Sequence, residues 1–187
     1  MNQTNTAQQK IGQQGEELVR DYLRGLSGSL IAGFFRTDNL ICAGRQVQID
    51  FLVMIPRLGL LVLEVKTWKG TIRVTNEEYW SRHVNSYTNQ FKNGSLQVLR
   101  ASGLVLQMFE QERINRWPIR SLLVFTEQSG EIVVATGDDA AQTDVIRLSG
   151  LKDWIEKNSH PDYVFPFSAN DFEAIKKLIR KYHTPYM

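Results

Sequence analysis

Hydrophobic periodicity divides the first third of the chain into one helix and three strands. Residues 7–26 repeat apolar positions at helical spacing, and one predicted face carries Ile11, Leu18, Val19, Tyr22, Leu23 and Leu26. Residues 30–35 favour a strand. Residues 46–55 and 59–66 are two apolar runs separated by a turn with proline and glycine, which predicts a hairpin.

The middle of the chain predicts a second hairpin, a long helix and a buried strand. The hairpin is expected from residues 70–74 and 79–84. The helix is expected over residues 89–111, because apolar residues repeat there as Leu96, Leu99, Leu106 and Phe109, widened by Val98, Val105 and Met108. Residues 119–125 form a short apolar run typical of a buried strand. Helix, three strands, helix and strand is the order of an α/β core.

Weaker patterns continue to the end of the chain. They predict two short strands and two helices, at residues 131–135, 145–148, 151–157 and 171–182. At 187 residues the length fits one domain. We expect a core over about residues 7–126 and a C-terminal α/β elaboration over about residues 127–187.

Composition narrows the classes of function. The net charge is only +2, so a nucleic-acid surface would have to be local. Cys42 is the single cysteine, which excludes an internal disulfide and a cysteine-based zinc site. The chain has no phosphate-loop pattern. The first 15 residues are polar, and no apolar stretch is long enough to span a membrane, so we expect a cytoplasmic protein without membrane contact.

Three charged residues interrupt the apolar hairpin of residues 46–66. Asp50 lies in its first run, and Glu64 and Lys66 close the second. Alternate side chains of a strand share a face, so Glu64 and Lys66 point to one side and Val65 to the other. Charges in strands that are otherwise apolar require a partner or a function.

Metal-assisted phosphodiester chemistry accounts for these charges. Asp50 and Glu64, on neighbouring strands, are suited to a hard divalent cation such as Mg²⁺ or Mn²⁺. Such a metal polarises a phosphate and lowers the pKa of water, while Lys66 would orient that water or offset charge in the transition state. A structural ion pair at the rim of the sheet is the alternative.

Asp50, followed after 13 residues by Glu64-Val65-Lys66, resembles the active-site pattern of the PD-(D/E)XK nuclease superfamily. Ile49 stands at the position of its proline. Further segments resemble the nuclease-related domain, NERD, over about residues 10–125: Gly12-Gln13-Gln14-Gly15-Glu16, Gln48-Ile49-Asp50, Leu63-Glu64-Val65-Lys66 with Trp68-Lys69-Gly70, and Asn89-Gln90. The chain departs from this family at Phe51, where a histidine is common, and in lacking a proline just before Gln90.

The resemblance implies a restriction-endonuclease-like core, αβββαβ, with a central mixed sheet flanked by helices. It adds the Val65 carbonyl to the metal ligands. It places Gln90 beside the active site, where it would position Lys66 or a phosphate. It also singles out Glu16, which the helical periodicity puts at the edge of the first apolar face and which would act through metal or water. Solvated polar residues are the alternative for Glu16 and Gln90.

Aromatic and basic residues follow the proposed catalytic strand. Trp68, Lys69, Arg73 and Arg82 are of the types that stack on bases and contact phosphates, so we expect them to bind nucleic acid. Packing of the tryptophans against the second hairpin is the alternative.

The sequence as a whole predicts a metal-dependent nuclease that acts on DNA phosphodiesters. Its expected catalytic residues are Glu16, Asp50, Glu64, Lys66 and Gln90. The main alternative is a catalytically silent module of the same fold that binds nucleic acid or a protein partner. A weaker alternative makes the charges a structural cluster in an enzyme of another class.

Overall fold

A computed structural model describes residues 3–37, 39–114 and 116–183 of the chain, with side chains from Gln9 onward. Two short 3₁₀ turns, Gly137–Asp139 and Leu148–Gly150, interrupt the last third. The helices and strands are, in chain order, α1 (Gln3–Leu26), β1 (Gly33–Arg36), β2 (Asn39–Cys42), β3 (Arg45–Gln48), β4 (Phe51–Ile55), β5 (Gly59–Lys66), β6 (Thr71–Val74), β7 (Tyr79–Val84), β8 (Tyr87–Lys92), α2 (Gly94–Gln111), β9 (Ile119–Phe125), β10 (Ile132–Val134), β11 (Asp144–Arg147), α3 (Leu151–Asn158) and α4 (Ala169–Tyr182).

A five-stranded mixed sheet forms the centre, in the order β1-β4-β5-β9-β11. Strands β1, β4 and β5 are antiparallel neighbours, while β9 runs parallel to β5 and β11 parallel to β9. Two smaller sheets accompany it: the hairpin β2-β3 and the four-stranded β10-β6-β7-β8. Within the described ranges, no helix has both the length and the apolar character needed to cross a membrane.

Helices cover both faces of the central sheet. Alternate residues of β5 enter two separate cores: Leu60 and Val62 pack with α2 and α4, whereas Leu61 and Leu63 pack with α1 and α3. This strand is buried from both sides over most of its length. The arrangement confirms the predicted α/β fold with a central mixed sheet and the core order αβββαβ.

Two predicted boundaries are wrong. The apolar run at residues 46–55 is split, because β3 pairs with β2 outside the central sheet and only β4 enters it. Residues 87–92 form strand β8, paired with β7, so the long helix begins at Gly94 and not at residue 89. Strand β8 is mostly exposed and has no apolar alternation, and its pairing partner determines its structure.

The predicted apolar faces of two helices also need correction. Leu18 on α1 is 56% exposed, and Leu99 and Leu106 on α2 are 44% and 43% exposed. The buried face of α2 is rotated toward smaller side chains and includes Ala101 and Ser102. Close contact of helix and sheet favours small residues there, and a wheel weighted by hydrophobicity does not find them.

Asn93 fixes the start of α2. Its side-chain oxygen accepts a hydrogen bond from the Leu96 N–H, which caps the helix. Its amide nitrogen donates to the carbonyl oxygens of Thr75 and Glu77, both in the turn between β6 and β7. One buried side chain thus joins α2 to the small sheet.

Gly15 lets α1 approach the ends of two central strands. A Cβ atom at this position would lie 2.1 Å from Thr67 Oγ1 and 2.9 Å from Thr126 Oγ1. Thr67 follows β5 and Thr126 follows β9, so the contact holds this turn of α1, and the adjacent Glu16, against the sheet edge.

We predict that Gly15→Ala lowers the free energy of unfolding by about 1–3 kcal/mol, because the added methyl group overpacks this contact. Gly25→Ala is the matched control in the same helix, since a Cβ there meets nothing within 4 Å. It should raise the free energy of unfolding by about 0.5–1 kcal/mol through helix propensity. Urea unfolding measures both, and equal effects of the two substitutions would refute the packing role.

Candidate active site

The candidate active site begins where β4 stops pairing with β5. The ladder ends with the pair Phe51 and Leu63, so β5 continues beyond its neighbour. There the Val65 N–H donates to Asp50 Oδ2 at 2.7 Å. The backbone around Asp50 is held by Thr37, whose N–H donates to the Asp50 carbonyl and whose hydroxyl donates to the Ile49 carbonyl. Asp50 is 7% exposed. Its carboxylate accepts the hydrogen bond that a β4 carbonyl would accept if the ladder continued.

Glu64 and Lys66 continue the face of β5 that Leu60 and Val62 present to α2. The Lys66 ammonium donates to Glu64 Oε1 at 2.7 Å, and the two side chains are 17% and 15% exposed. A Cβ atom added to Gly94, at the start of α2, would lie 3.5 Å from Lys66 Cε. This is an ordinary van der Waals distance, so the start of α2 borders the ion pair.

One cavity of about 540 Å³ gathers most of the predicted site residues. We name it the site cavity, and its walls include Glu16, Gln48, Asp50, Glu64, Val65, Lys66, Trp68, Lys69 and Arg82. Four of the five expected catalytic residues thus meet, although they come from α1, the loop before β4, and β5.

Electrostatics at Asp50 are dominated by burial. Desolvation, with smaller contributions from the negative charges of Glu64 and Glu16, raises the pKa of Asp50 to about 7. The hydrogen bond from Val65 and the charge of Lys66 oppose it. Carboxylates therefore outnumber cations around a buried acid, and a bound cation would relieve their repulsion.

Glu16 lines the same cavity from the helix side. Its Oε2 accepts from Arg36 Nη2 at 2.5 Å, and the Glu16 side chain is 19% exposed. Arg36 also pairs with Glu17 at 3.4 Å, so one arginine at the end of β1 holds two carboxylates of α1. Arg36 is not predictable from the sequence as a site residue, because nothing in its local pattern links β1 to α1.

The donor set fits a hard divalent cation through oxygen atoms. N–H and C=O of one strand residue point to the same edge, so the Val65 carbonyl lies on the side of Asp50. Asp50, Glu64 and this carbonyl would hold the ion, with water filling its other positions. Among the described residues, no group of three or more His, Cys, Asp or Glu side chains is arranged to hold a metal. Any site here therefore relies on two carboxylates and main-chain oxygen.

The predicted nucleic-acid residues separate into two groups. Trp68, Lys69 and Arg82 line the site cavity. Trp68 is half-buried, with ring centroids 4.7 Å from Phe91 and 5.8 Å from Phe125. The structure does not bring Arg73 to the site. Its side chain lies on the exposed face of β6, opposite the buried Ile72 and Val74, and lines a different cavity.

Gln90 also lies apart from the other site residues. It belongs to β8, is exposed and pairs with Ser81, and it does not line the site cavity. The prediction that it begins a helix is wrong, and its catalytic role stays a prediction. Asn93 caps the helix start instead, and an asparagine directly before an apolar repeat is the sequence signal for this cap.

The fold and the site together define a class of protein: an α/β domain with carboxylates and a lysine at the ends of central strands. A sequence profile of the nuclease-related domain family, NERD, matches residues 11–126, well over half of the chain, and the chain belongs to this family. Membership indicates a nuclease-related function and is consistent with the PD-(D/E)XK superfamily. Searches among curated proteins and among solved structures gave no significant match.

We predict that Asp50→Asn stabilises the metal-free protein at high pH. The pKa of Asp50 is higher in the folded state than in the unfolded chain, so stability falls as pH rises from about 4 through about 7. Asparagine stays neutral and its oxygen can still accept from the Val65 N–H. At pH 8 in chelator, the variant should exceed wild type by about 2–4 kcal/mol, and the gap should close near pH 4.

Urea unfolding at a series of pH values measures this difference. Asp153→Asn, on the exposed face of α3, is the control and should show little gain. A variant that is less stable than wild type at pH 8 would contradict the cost assigned to the buried charge.

Proposed function

We propose that this chain is a metal-dependent nuclease that hydrolyses DNA phosphodiesters. The observation that carries the proposal is the convergence of Asp50, Glu64, Val65 and Lys66 on one cavity, at strand ends where apolar packing stops. Two carboxylates beside a lysine are a costly arrangement in a protein interior. Phosphodiester hydrolysis assisted by a metal gives each of them a use.

A bound Mg²⁺ or Mn²⁺ would polarise the phosphate and make water more acidic. Asp50 and Glu64 would hold it, and the hydrogen bond from Val65 orients the Asp50 carboxylate for that purpose. Because Asp50 is almost completely buried and bonded to the Val65 N–H, its carboxylate is held in place before any metal binds.

Lys66 would act on the substrate side. Its ammonium donates to Glu64 in the metal-free protein, and it would hold the attacking water and offset charge in the transition state if Glu64 bound a cation. The ring centroid of Trp68 lies 5.8 Å from Lys66 Nζ, so the indole borders this side chain. Glu16 would orient water from the opposite wall, with Arg36 fixing its position.

DNA is the proposed substrate because the walls of the site cavity carry cations and an aromatic ring. Lys69 and Arg82 flank the site, and the Trp68 indole is partly accessible. Such residues contact phosphates and bases without demanding one sequence.

A second candidate is a silent module that uses the same fold to bind nucleic acid or a protein. The observations that favour it are the closed Glu64–Lys66 ion pair and the lack, among the described residues, of three side chains arranged around a metal. In that case the charges would stabilise one another and the cavity would serve recognition alone.

We predict that Lys66→Ala lowers the rate of DNA cleavage by at least about 10²-fold, since it removes the group that acts on water. Lys152→Ala, on α3 at the opposite face of the sheet, is the control and should cleave at the wild-type rate. Plasmid nicking with Mg²⁺ or Mn²⁺ is the measurement. Cleavage by Lys66→Ala at the wild-type rate would exclude the mechanism.

Metal binding separates the two candidates. Calorimetric titration with Mn²⁺ should show saturable binding that Asp50→Asn and Glu64→Gln each weaken, and chelator should stop cleavage completely. Wild-type protein that binds DNA but takes up no Mn²⁺ at this site would favour the silent module.

A further inference from the structure

A second cavity, of about 930 Å³, opens next to the site cavity on the α2 side of β5. We name it the β3–α2 groove, after the elements on either side of it. It shares Gln48, Glu64 and Lys66 with the site cavity, so the two cavities adjoin at the proposed catalytic pair.

The walls of the groove carry several amide side chains. On α2, Gln97, Arg100 and Gln107 follow one another at spacings of three and seven residues, which places them on one face of the helix. From β3, Gln46 and Gln48 share one face of the strand and Arg45 lies on the other, and all three line the cavity. Both walls therefore present amides along the same channel.

Two arginines supply the charge. Arg45 at the start of β3 and Arg100 on α2 are exposed and line the groove from opposite sides. In the described part of the chain, neither guanidinium has a hydrogen-bond or ion-pair partner. A guanidinium binds phosphate through paired N–H donors, and neutral amides add donors and acceptors without cancelling that charge.

This composition distinguishes among possible occupants. None of the described lining residues is aromatic, which disfavours a protein partner, because protein interfaces rely on aromatic and aliphatic anchors. Cations on both walls with spaced amides suit an extended polyanion. The volume of the groove is near the upper end of the range for small-ligand sites, about 300–1,000 Å³. A groove of this size can hold a short stretch of one nucleic-acid strand.

We propose that the β3–α2 groove binds the DNA strand that is cut, with Arg45 and Arg100 gripping its phosphates on one side of the Glu64–Lys66 pair. The strand then crosses the pair and continues past Lys69 and Arg82 on the other side. The proposal rests on the proposed nuclease function for the identity of the strand, but its binding test does not require cleavage.

The test measures binding of a labelled single-stranded DNA oligonucleotide in chelator, where no cleavage occurs, over a series of salt concentrations. Arg45→Ala with Arg100→Ala should weaken binding by about tenfold, and the slope of log affinity against log salt should fall by about 0.7 for each arginine removed. The corresponding lysine variants should keep the slope, because they keep the charge.

Arg24→Ala is the matched control, since Arg24 lies in the last turn of α1, away from both cavities, and it should leave affinity and slope unchanged. Thermal unfolding of each variant shows whether it is folded. If the double variant binds DNA with the wild-type affinity and slope, or the wild type does not bind DNA, the groove proposal is wrong.

Inorganic phosphate provides a further arm. If it displaces the oligonucleotide at equal concentrations of phosphate groups, the groove is a small-anion site and the proposal is overturned. If the wild type binds DNA through these arginines but does not cleave it with metal, the groove proposal holds and the nuclease function alone fails.

Discussion

The hydrogen bond from the Val65 N–H to the Asp50 carboxylate is the interaction on which the site depends. Strand β5 extends past the end of β4, so the Val65 N–H, which points toward the β4 side, has no backbone partner there. A buried amide without a partner would destabilise the fold. Asp50 satisfies that amide with a side chain. The same bond fixes a carboxylate beside Glu64 and Lys66, so one hydrogen bond both completes the sheet edge and positions a site residue.

The buried Asp50 carboxylate lowers the stability of the folded state. Burial and the charges of Glu64 and Glu16 raise the pKa of Asp50 to about 7, so its surroundings disfavour the ionised form. The surrounding packing compensates: β5 is covered by cores on both faces, and α1 approaches closely at Gly15. An unfavourable buried charge at a site, offset by close packing around it, is expected where function opposes stability.

Sequence patterns predicted the parts of the fold that are set by local alternation. The central strands carry apolar runs that only a buried sheet explains, and Asp50, Glu64 and Lys66 stand out against them. Strand β8 was missed because its residues are polar and exposed, and its structure comes from pairing with β7. The long helix was accordingly started too early, and its capping residue, Asn93, was overlooked.

Other features arise from contacts between residues that are far apart in the chain, and no short segment of the sequence predicts them. Arg36 reaches Glu16 across 20 positions of the chain, and the β3–α2 groove joins a hairpin to a helix about 50 residues later. Arg73 was assigned to the site by proximity in sequence, although strand alternation directs it away. The face of a strand, more than distance along the chain, decides which residues meet.

The central claim is that Asp50, Glu64 and the Val65 carbonyl form a cation site adjacent to Lys66. Anomalous diffraction from a crystal soaked in Mn²⁺ tests it most directly. The account predicts a peak between the two carboxylates, with Glu64 released from Lys66. A map with no peak there, and with the Glu64–Lys66 ion pair intact at saturating Mn²⁺, would contradict it.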